Sequence, residues 1–345
     1  MKRLYTTQRL KGFYAIAAVM IVIVFVVRAQ QLLLPIRPID VAIEQRIISN
    51  NNEPLLPIPL HLQLDSRKVK LGEKLFGDPK LSHDNTISCA TCHNLKAGGT
   101  DLTSHSLGIN GEIGLVNTPT VFNSVFNFRQ FWDGRAVTLE EQIEGPTTSS
   151  HEMGSSWSEA IAKLKQDPDY ISSFKKLYPE GINRETIKDA LANFVRSLYT
   201  PNSRFDKYLR GDKNALTEAE KKGYRLFKEY GCASCHQGVN VGGNMFQRFG
   251  ILADYFAMRG NITEADRGRA NITGEPGDIN VFKVPSLRNV ELTPPYFHDG
   301  SVPSLETAVA VMAKYQLGEE LSPEDTSLIV QFLKTLTGEY QGKPL

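Results

Sequence analysis

One unit occurs twice in this chain, and it leaves few folds open. Gly72, Leu75 and Phe76 lead to Cys89-Ala-Thr-Cys-His93, and Gly223, Leu226 and Phe227 lead to Cys232-Ala-Ser-Cys-His236. Two thiols three positions apart, with a His directly after the second, can take a haem through two thioether bonds and turn the His under the ring as an iron ligand. All four cysteines of the chain sit in these motifs, so none is left for a disulfide. A zinc site and a pair of redox thiols are the competing readings. Zinc ribbons rarely place His immediately after the second Cys, and a thioredoxin-type motif expects a βαβ setting. The repeat therefore points to two covalently bound haems c.

Helical spacing dominates the rest of the chain. Apolar residues recur at three and four over 158–165, 184–198, 217–229, 305–315 and 323–336, and no comparable alternating strand series accompanies them. The expected fold class is mainly α. A chain of 345 residues exceeds what one hydrophobic core usually organises. The reading is thus a haem domain over 65–205 and a second over 206–345. Before them, 37–64 is an arm with Pro38, Pro54, Pro57 and Pro59 and no sustained periodicity, which reads as a tether or a wrapping segment.

The first 36 residues are of another kind. Lys2, Arg3, Arg9 and Lys11 precede an uncharged apolar run over 13–27, the layout of an export signal. That run is long for a signal core and short for a bilayer span of about 20 residues. Arg28 between Val27 and Ala29 disfavours cleavage, so the reading leans to a retained hydrophobic helix as anchor, with everything after it on the periplasmic side of the inner membrane. Setting aside these cations and Arg28 leaves 34 basic against 38 acidic residues, a net of −4. A weakly acidic body argues against nucleic acid as a partner.

Two haems on two repeats imply electron transfer, and the sixth iron ligand decides which haem is closed. Met opposite His raises the potential and closes the iron. Met312, on the 305–315 segment downstream of His236, is the candidate, with Met245 and Met258 as rivals. Read as an ordinary helix position, Met312 is equally a core filler.

The residues also carry a resemblance. From about Val69 to Gly338 the chain resembles the bacterial di-haem cytochrome c peroxidases and, beyond them, the MauG-type enzymes. The matching stretches are Leu71-Gly-Glu-Lys-Leu-Phe76, Ser88-Cys-Ala-Thr-Cys-His-Asn94, Asn117-Thr-Pro-Thr-Val-Phe-Asn123, Gln130-Phe-Trp-Asp-Gly-Arg135, Gly231-Cys-Ala-Ser-Cys-His236, Pro285-Ser-Leu-Arg-Asn289 and Tyr296-Phe-His-Asp-Gly300. The resemblance implies two cytochrome c-like domains whose haems face a shared interface. It implies that His93 is the proximal ligand of the peroxidatic haem, that Glu152 is the distal acid and Gln142 the distal amide, and that Trp132 stands between the haems. It implies further that His236 and Met312 are the axial pair of the second haem. Asn117 with the backbone carbonyls of Thr293 and Pro295 matches an inter-domain calcium site of the family, whose hard oxygen ligands suit Ca²⁺. Without the resemblance, Glu152 is one acid in a Ser- and Thr-rich loop, and Trp132 is an interface aromatic.

The function so implied is reduction of hydrogen peroxide to water, with electrons from a small cytochrome c or cupredoxin and a homodimer as an allowed assembly. A non-catalytic di-haem carrier is the alternative from the residues alone. A MauG-type protein-modifying oxidase is the alternative within the resemblance, and it is disfavoured because those enzymes use Tyr where Met312 stands. Among the remaining histidines, His61 in the arm and His83 and His151 in polar turns read as solvent-facing, and His298 reads as a structural or electron-path residue near the interface. One departure stands out: in many relatives a loop His closes the peroxidatic iron of the oxidised enzyme, and the corresponding position here is Ile109. The nearest substitute, His105, reads as a surface residue.

Overall fold

In the computed structural model, which describes residues 53–345, every α-helix of eight or more residues starts at a side-chain cap. The hydrophobic segment 1–36 and the start of the arm lie outside the described residues, and among those described no helix is long and apolar enough to cross a membrane. In chain order the α-helices are α1 (Ser66–Phe76), α2 (Cys89–Cys92), α3 (Leu139–Thr148), α4 (Trp157–Leu164), α5 (Pro168–Leu177), α6 (Arg184–Ser197), α7 (Arg204–Leu209), α8 (Glu218–Glu229), α9 (Tyr255–Arg259), α10 (Ala270–Thr273), α11 (Leu305–Val311) and α12 (Pro323–Lys334). Asp65 caps α1 by accepting the Arg67 amide, and Asn183 with Thr186 and Thr217 with Glu220 form capping boxes at α6 and α8. Two short antiparallel ladders complete the elements, β1 (Phe246–Arg248) with β2 (Val281–Lys283) and β3 (Glu339–Tyr340) with β4 (Lys343–Pro344). At two or three residues each, these strands are too short to display an alternation in the sequence.

The expected helices form with shifts of one or two residues at their ends, save the 305–315 segment. There α11 stops at Val311 and the chain continues as a π-helix over Met312–Leu317. Single π turns inside α-helices are uncommon and concentrate at functional sites.

Of three hydrophobic clusters among the described residues, two carry the main helix crossings, and a smaller third gathers Tyr255, Phe256, Phe282 and Tyr315 beside Trp132. The first gathers Leu71, Leu75, Phe76, Phe122, Tyr170, Phe174, Ile187, Leu191 and Phe194; the second gathers Leu55, Phe205, Tyr224, Phe227, Ile329, Phe332 and Leu336. The repeat is visible in them: α1 crosses α6 in the first, and α8 crosses α12 in the second. Both crossings hinge on the repeated glycine. A Cβ on Gly72 would stand 2.0 Å from the Ala190 carbonyl oxygen, and one on Gly223 would stand 2.0 Å from that of Leu328. No side chain rotation relieves a clash with backbone, so Gly72→Ala must push the helices apart. We expect the upper end of the overpacking cost, about 3 kcal/mol, read as a lowered midpoint in denaturant unfolding; an unchanged midpoint would show that the crossing yields.

The ends of the described chain cross the sequence-based boundary. Phe205 belongs to the second cluster, while Tyr340 and Leu345 pack on the first, Tyr340 edge-on to Phe122 at 5.2 Å. The arm residues Leu55 and Ile58 are wholly buried, so over 53–64 the arm wraps. Its anchor is Arg288, which donates to the carbonyls of Leu56 and Val239 and pairs at 2.8 Å with Asp206, both side chains fully enclosed. Asp206 accepts the Ile58 amide in turn, so this buried charge pair is also hydrogen-bonded, as it must be to persist. Asn123 and Asn289 meet at Thr200: Asn123 Nδ2 and Asn289 Nδ2 donate to Thr200 Oγ1 at 2.8 and 3.1 Å, a buried polar lock between segments of the two clusters.

Candidate functional site

At the first motif, Ser88 and Thr91 form a capping box that starts α2, and His93 sits at its C-terminal end. The His93 Nδ1–H donates to the Gly99 carbonyl at 3.1 Å, which fixes the ring and leaves Nε2 as the free ligand atom. Burial holds the imidazole below its ordinary pKa, hence neutral, the form that binds iron. Cys89 and Cys92 are free sulfurs, standing where thioether bonds to haem vinyl carbons would form; burial pushes the Cys89 thiol up to about 12. The second motif repeats this. Cys232 is raised to about 11 by burial, and His236 is lowered to about 4, its Nδ1–H directed at the Val241 carbonyl 3.4 Å away.

The second motif opens on a mostly apolar cavity. Cys232, Cys235 and His236 line it together with Met312, which the start of the π-helix presents there. Met258 is 56% exposed, and neither it nor Met245 lines that cavity. Two cysteines, a half-buried neutral His, a thioether and a mostly apolar cavity are a donor set and a lining that fit a haem c. Trp132, Asn117, Thr293, Pro295 and His298 lie along the same cavity. Trp132 is held by its indole N–H, which donates to the Asn117 carbonyl at 2.9 Å. His298 is buried, edge-on to Trp132 with ring centroids 6.4 Å apart, and its Nε2 is 2.7 Å from Asp266 Oδ1. Asp266 is wholly buried and paired with Arg259 at 2.6 Å, which offsets the cost of burial and holds its carboxyl down at about 2.

Glu152 owes its setting to chain folding rather than to its own segment. After α3 the chain reverses, Met153 N–H donating to the Pro146 carbonyl, and the loop of residues 106–114 closes over the turn. Ile109 N–H donates to the Glu152 carbonyl at 2.9 Å, and a Cβ on Gly108 would fall 2.2 Å from the His151 carbonyl oxygen. Burial raises the Glu152 carboxyl above the ordinary carboxylate range against the pull of Arg135 and His151, and its charge is felt at both Cys89 and Cys92. Glu152, Arg135 and the first cysteine pair are thus one neighbourhood. Gln142 stands half-buried on α3, with no side-chain hydrogen bond among the described residues.

His83 and His61 are exposed as expected, His83 pairing with Glu159 at 3.0 Å. His151 departs from expectation: it is half-buried, with Nδ1 enclosed 3.4 Å from Glu112 Oε2 without hydrogen-bond geometry, because the 106–114 loop packs on it. Arg135 and Lys283 escaped the sequence reading. Arg135 lies in the quoted Trp132-Asp-Gly-Arg135 stretch and stacks on Phe131 at 3.4 Å, a signal that was present but silent without the fold.

The profile of the di-haem cytochrome c peroxidases matches residues 66–214. The chain is 53% identical over 292 residues to cytochrome c peroxidase Ccp of Escherichia coli (strain K12), covering 84% of this chain and 62% of that longer protein. It is 45% identical over 289 residues to cytochrome c551 peroxidase of Nitrosomonas europaea, covering 84% of this chain and 85% of the relative. Among solved structures, a MauG-like protein associated with microbial copper homeostasis superposes with a TM-score of 0.71 at 31% identity, covering 84% of this chain and 94% of the other.

Proposed function

Since the chain belongs to the di-haem cytochrome c peroxidase family, we propose that it reduces hydrogen peroxide to two waters, consuming two protons and two electrons that arrive singly from a small cytochrome c or cupredoxin. The family's two haem c cofactors supply, when bound, an iron for the peroxide oxygen and a second centre that relays electrons. The carrying observation is Glu152, a half-buried carboxyl beside the first cysteine pair, its proton affinity raised by desolvation. Such a group takes a proton from the inner peroxide oxygen and returns it to the outer one. Arg135 adds positive charge there, and Gln142, half-buried on α3, is assigned to hydrogen-bond the peroxide. His93 would hold the iron of this first haem domain, 65–205.

In the second haem domain, 206–345, His236 and Met312 would hold the haem iron, and Trp132, fixed by Asn117, would lie on the electron path. Asn117 donates through Nδ2 to the Thr103 carbonyl, leaving Oδ1 as a hard oxygen ligand; Thr293 and Pro295 line the same cavity, and a Ca²⁺ site with their backbone carbonyls is assigned there. From the N-terminal charge and hydropathy pattern we infer a periplasmic body tethered to the inner membrane. Steady-state peroxide turnover by the purified di-haem protein with a reduced small cytochrome c tests the assignment; absence of peroxide-dependent oxidation of the cytochrome overturns it. Met312→Leu keeps size and apolarity, so both haems are expected to remain attached while the potential of the second falls substantially, because the thioether favours ferrous iron. An unchanged potential in redox titration would remove Met312 from the iron.

A further inference from the structure

Lys283 ends β2 opposite Phe246 of β1, and it is only 7% exposed. Its backbone N–H donates to the Trp132 carbonyl at 2.8 Å, so one strand end positions both residues. Lys283 is among the residues that line the cavity of the second motif, in which Arg248 and Lys283 are cations and no lining residue is a carboxylate. Arg248 is exposed and already donates to the Gly277 carbonyl. No ion pair or side-chain hydrogen bond reaches the Lys283 ammonium among the described residues, and burial, with no charged neighbour, pushes it down to about 8. A buried cation is strongly disfavoured unless an anion meets it. A haem in this cavity brings two such anions, its propionate carboxylates.

We propose that the Lys283 ammonium pairs with a propionate of the haem held by Cys232, Cys235 and His236, and that this pair helps keep that haem's potential high. The sign follows from charge: an unneutralised propionate stabilises the ferric haem, so its counter-cation stabilises the ferrous one. The proposal rests on the function assigned above. Its position also matters, because the neutralised edge would lie on the strand that fixes Trp132.

The test uses the full chain carrying its haems, as Lys283→Met and Lys283→Arg beside the native protein, with spectroelectrochemical titration of the second haem. Lys283→Met is expected to lower the ferrous-to-ferric ratio at fixed potential about tenfold, equivalent to 59 mV for one electron, while Lys283→Arg stays with the native protein. Met suits an enclosed position better than Lys where no anion is present. Loss of the second haem from Lys283→Met but not from Lys283→Arg therefore also supports the pair. An unmoved potential in a fully loaded Lys283→Met, or equal changes in both variants, overturns it. A native mass showing only one covalent haem overturns the function reading and this proposal together, whereas two haems with an unmoved potential overturn Lys283 alone.

Discussion

Glu152→Gln is expected to lower steady-state peroxide turnover by about a hundredfold or more, the range of a lost general acid–base, while the absorption spectra of both haems stay near native. The substitution keeps the size and the hydrogen-bonding reach of the side chain and removes only the proton acceptor. Because burial raises the carboxyl, the native enzyme should lose activity on the acid side at a pH above the ordinary carboxylate range: protonation there removes the base. Glu152→Gln should show the residual rate without that acid limb. A variant that turns over at the native rate, or that keeps the limb, would mean that the proton moves through another group or through water.

What the sequence discloses and what it hides divide along a physical line. The haem motifs are legible because a c-type attachment needs its thiols and its His within one helical turn. The helix limits are legible for the same reason, since Asn183 and Thr217 cap helices through neighbours two or three residues away. Glu152 is the opposite case. Its Ser- and Thr-rich setting reads as solvated, and its burial comes from a loop more than forty residues earlier laid over it through Gly108 and Ile109. Position in a resemblance, not local chemistry, is what singled it out.

Met312 and Lys283 show two further limits. Spacing of apolar residues at three and four cannot tell an α turn from a π turn, so the change of helix type at Met312 is silent in the sequence. Lys283 sits in a stretch that reads as an ordinary charged position, and only the closing of β2 on β1 and on the Trp132 carbonyl encloses it. Arg288 is similar: a lone basic residue in sequence becomes the fully buried partner of Asp206, 82 positions away, and of the arm. Long-range closure creates all three environments.

The fully oxidised protein is expected to react with peroxide at once, with no lag relieved by prior reduction of the second haem. The position where many relatives carry a closing His is Ile109, which cannot ligate iron, and here it is buried, its Cδ1 lying 2.2 Å from where a Cβ on Gly154 would stand. His105 is the remaining candidate, and its flanks are tied down. The Thr103 carbonyl accepts from Asn117 Nδ2 at 2.8 Å, the Ser106 carbonyl accepts the Gly114 amide at 2.9 Å, and Ser106 Oγ hydrogen-bonds Asp101 and Thr118. Carrying His105 to the iron means breaking several of these bonds at about 1 kcal/mol each and uncovering Ile109, against the gain of one axial ligand. The first haem of the as-isolated ferric protein should then show the signature of His93 alone or of His93 with a weak water ligand. Electron paramagnetic resonance of native and His105→Ala protein decides the matter. A low-spin bis-histidine signal that vanishes in His105→Ala, together with a peroxide reaction that waits for half-reduction in the native enzyme, would make His105 the closing ligand and restore reductive activation.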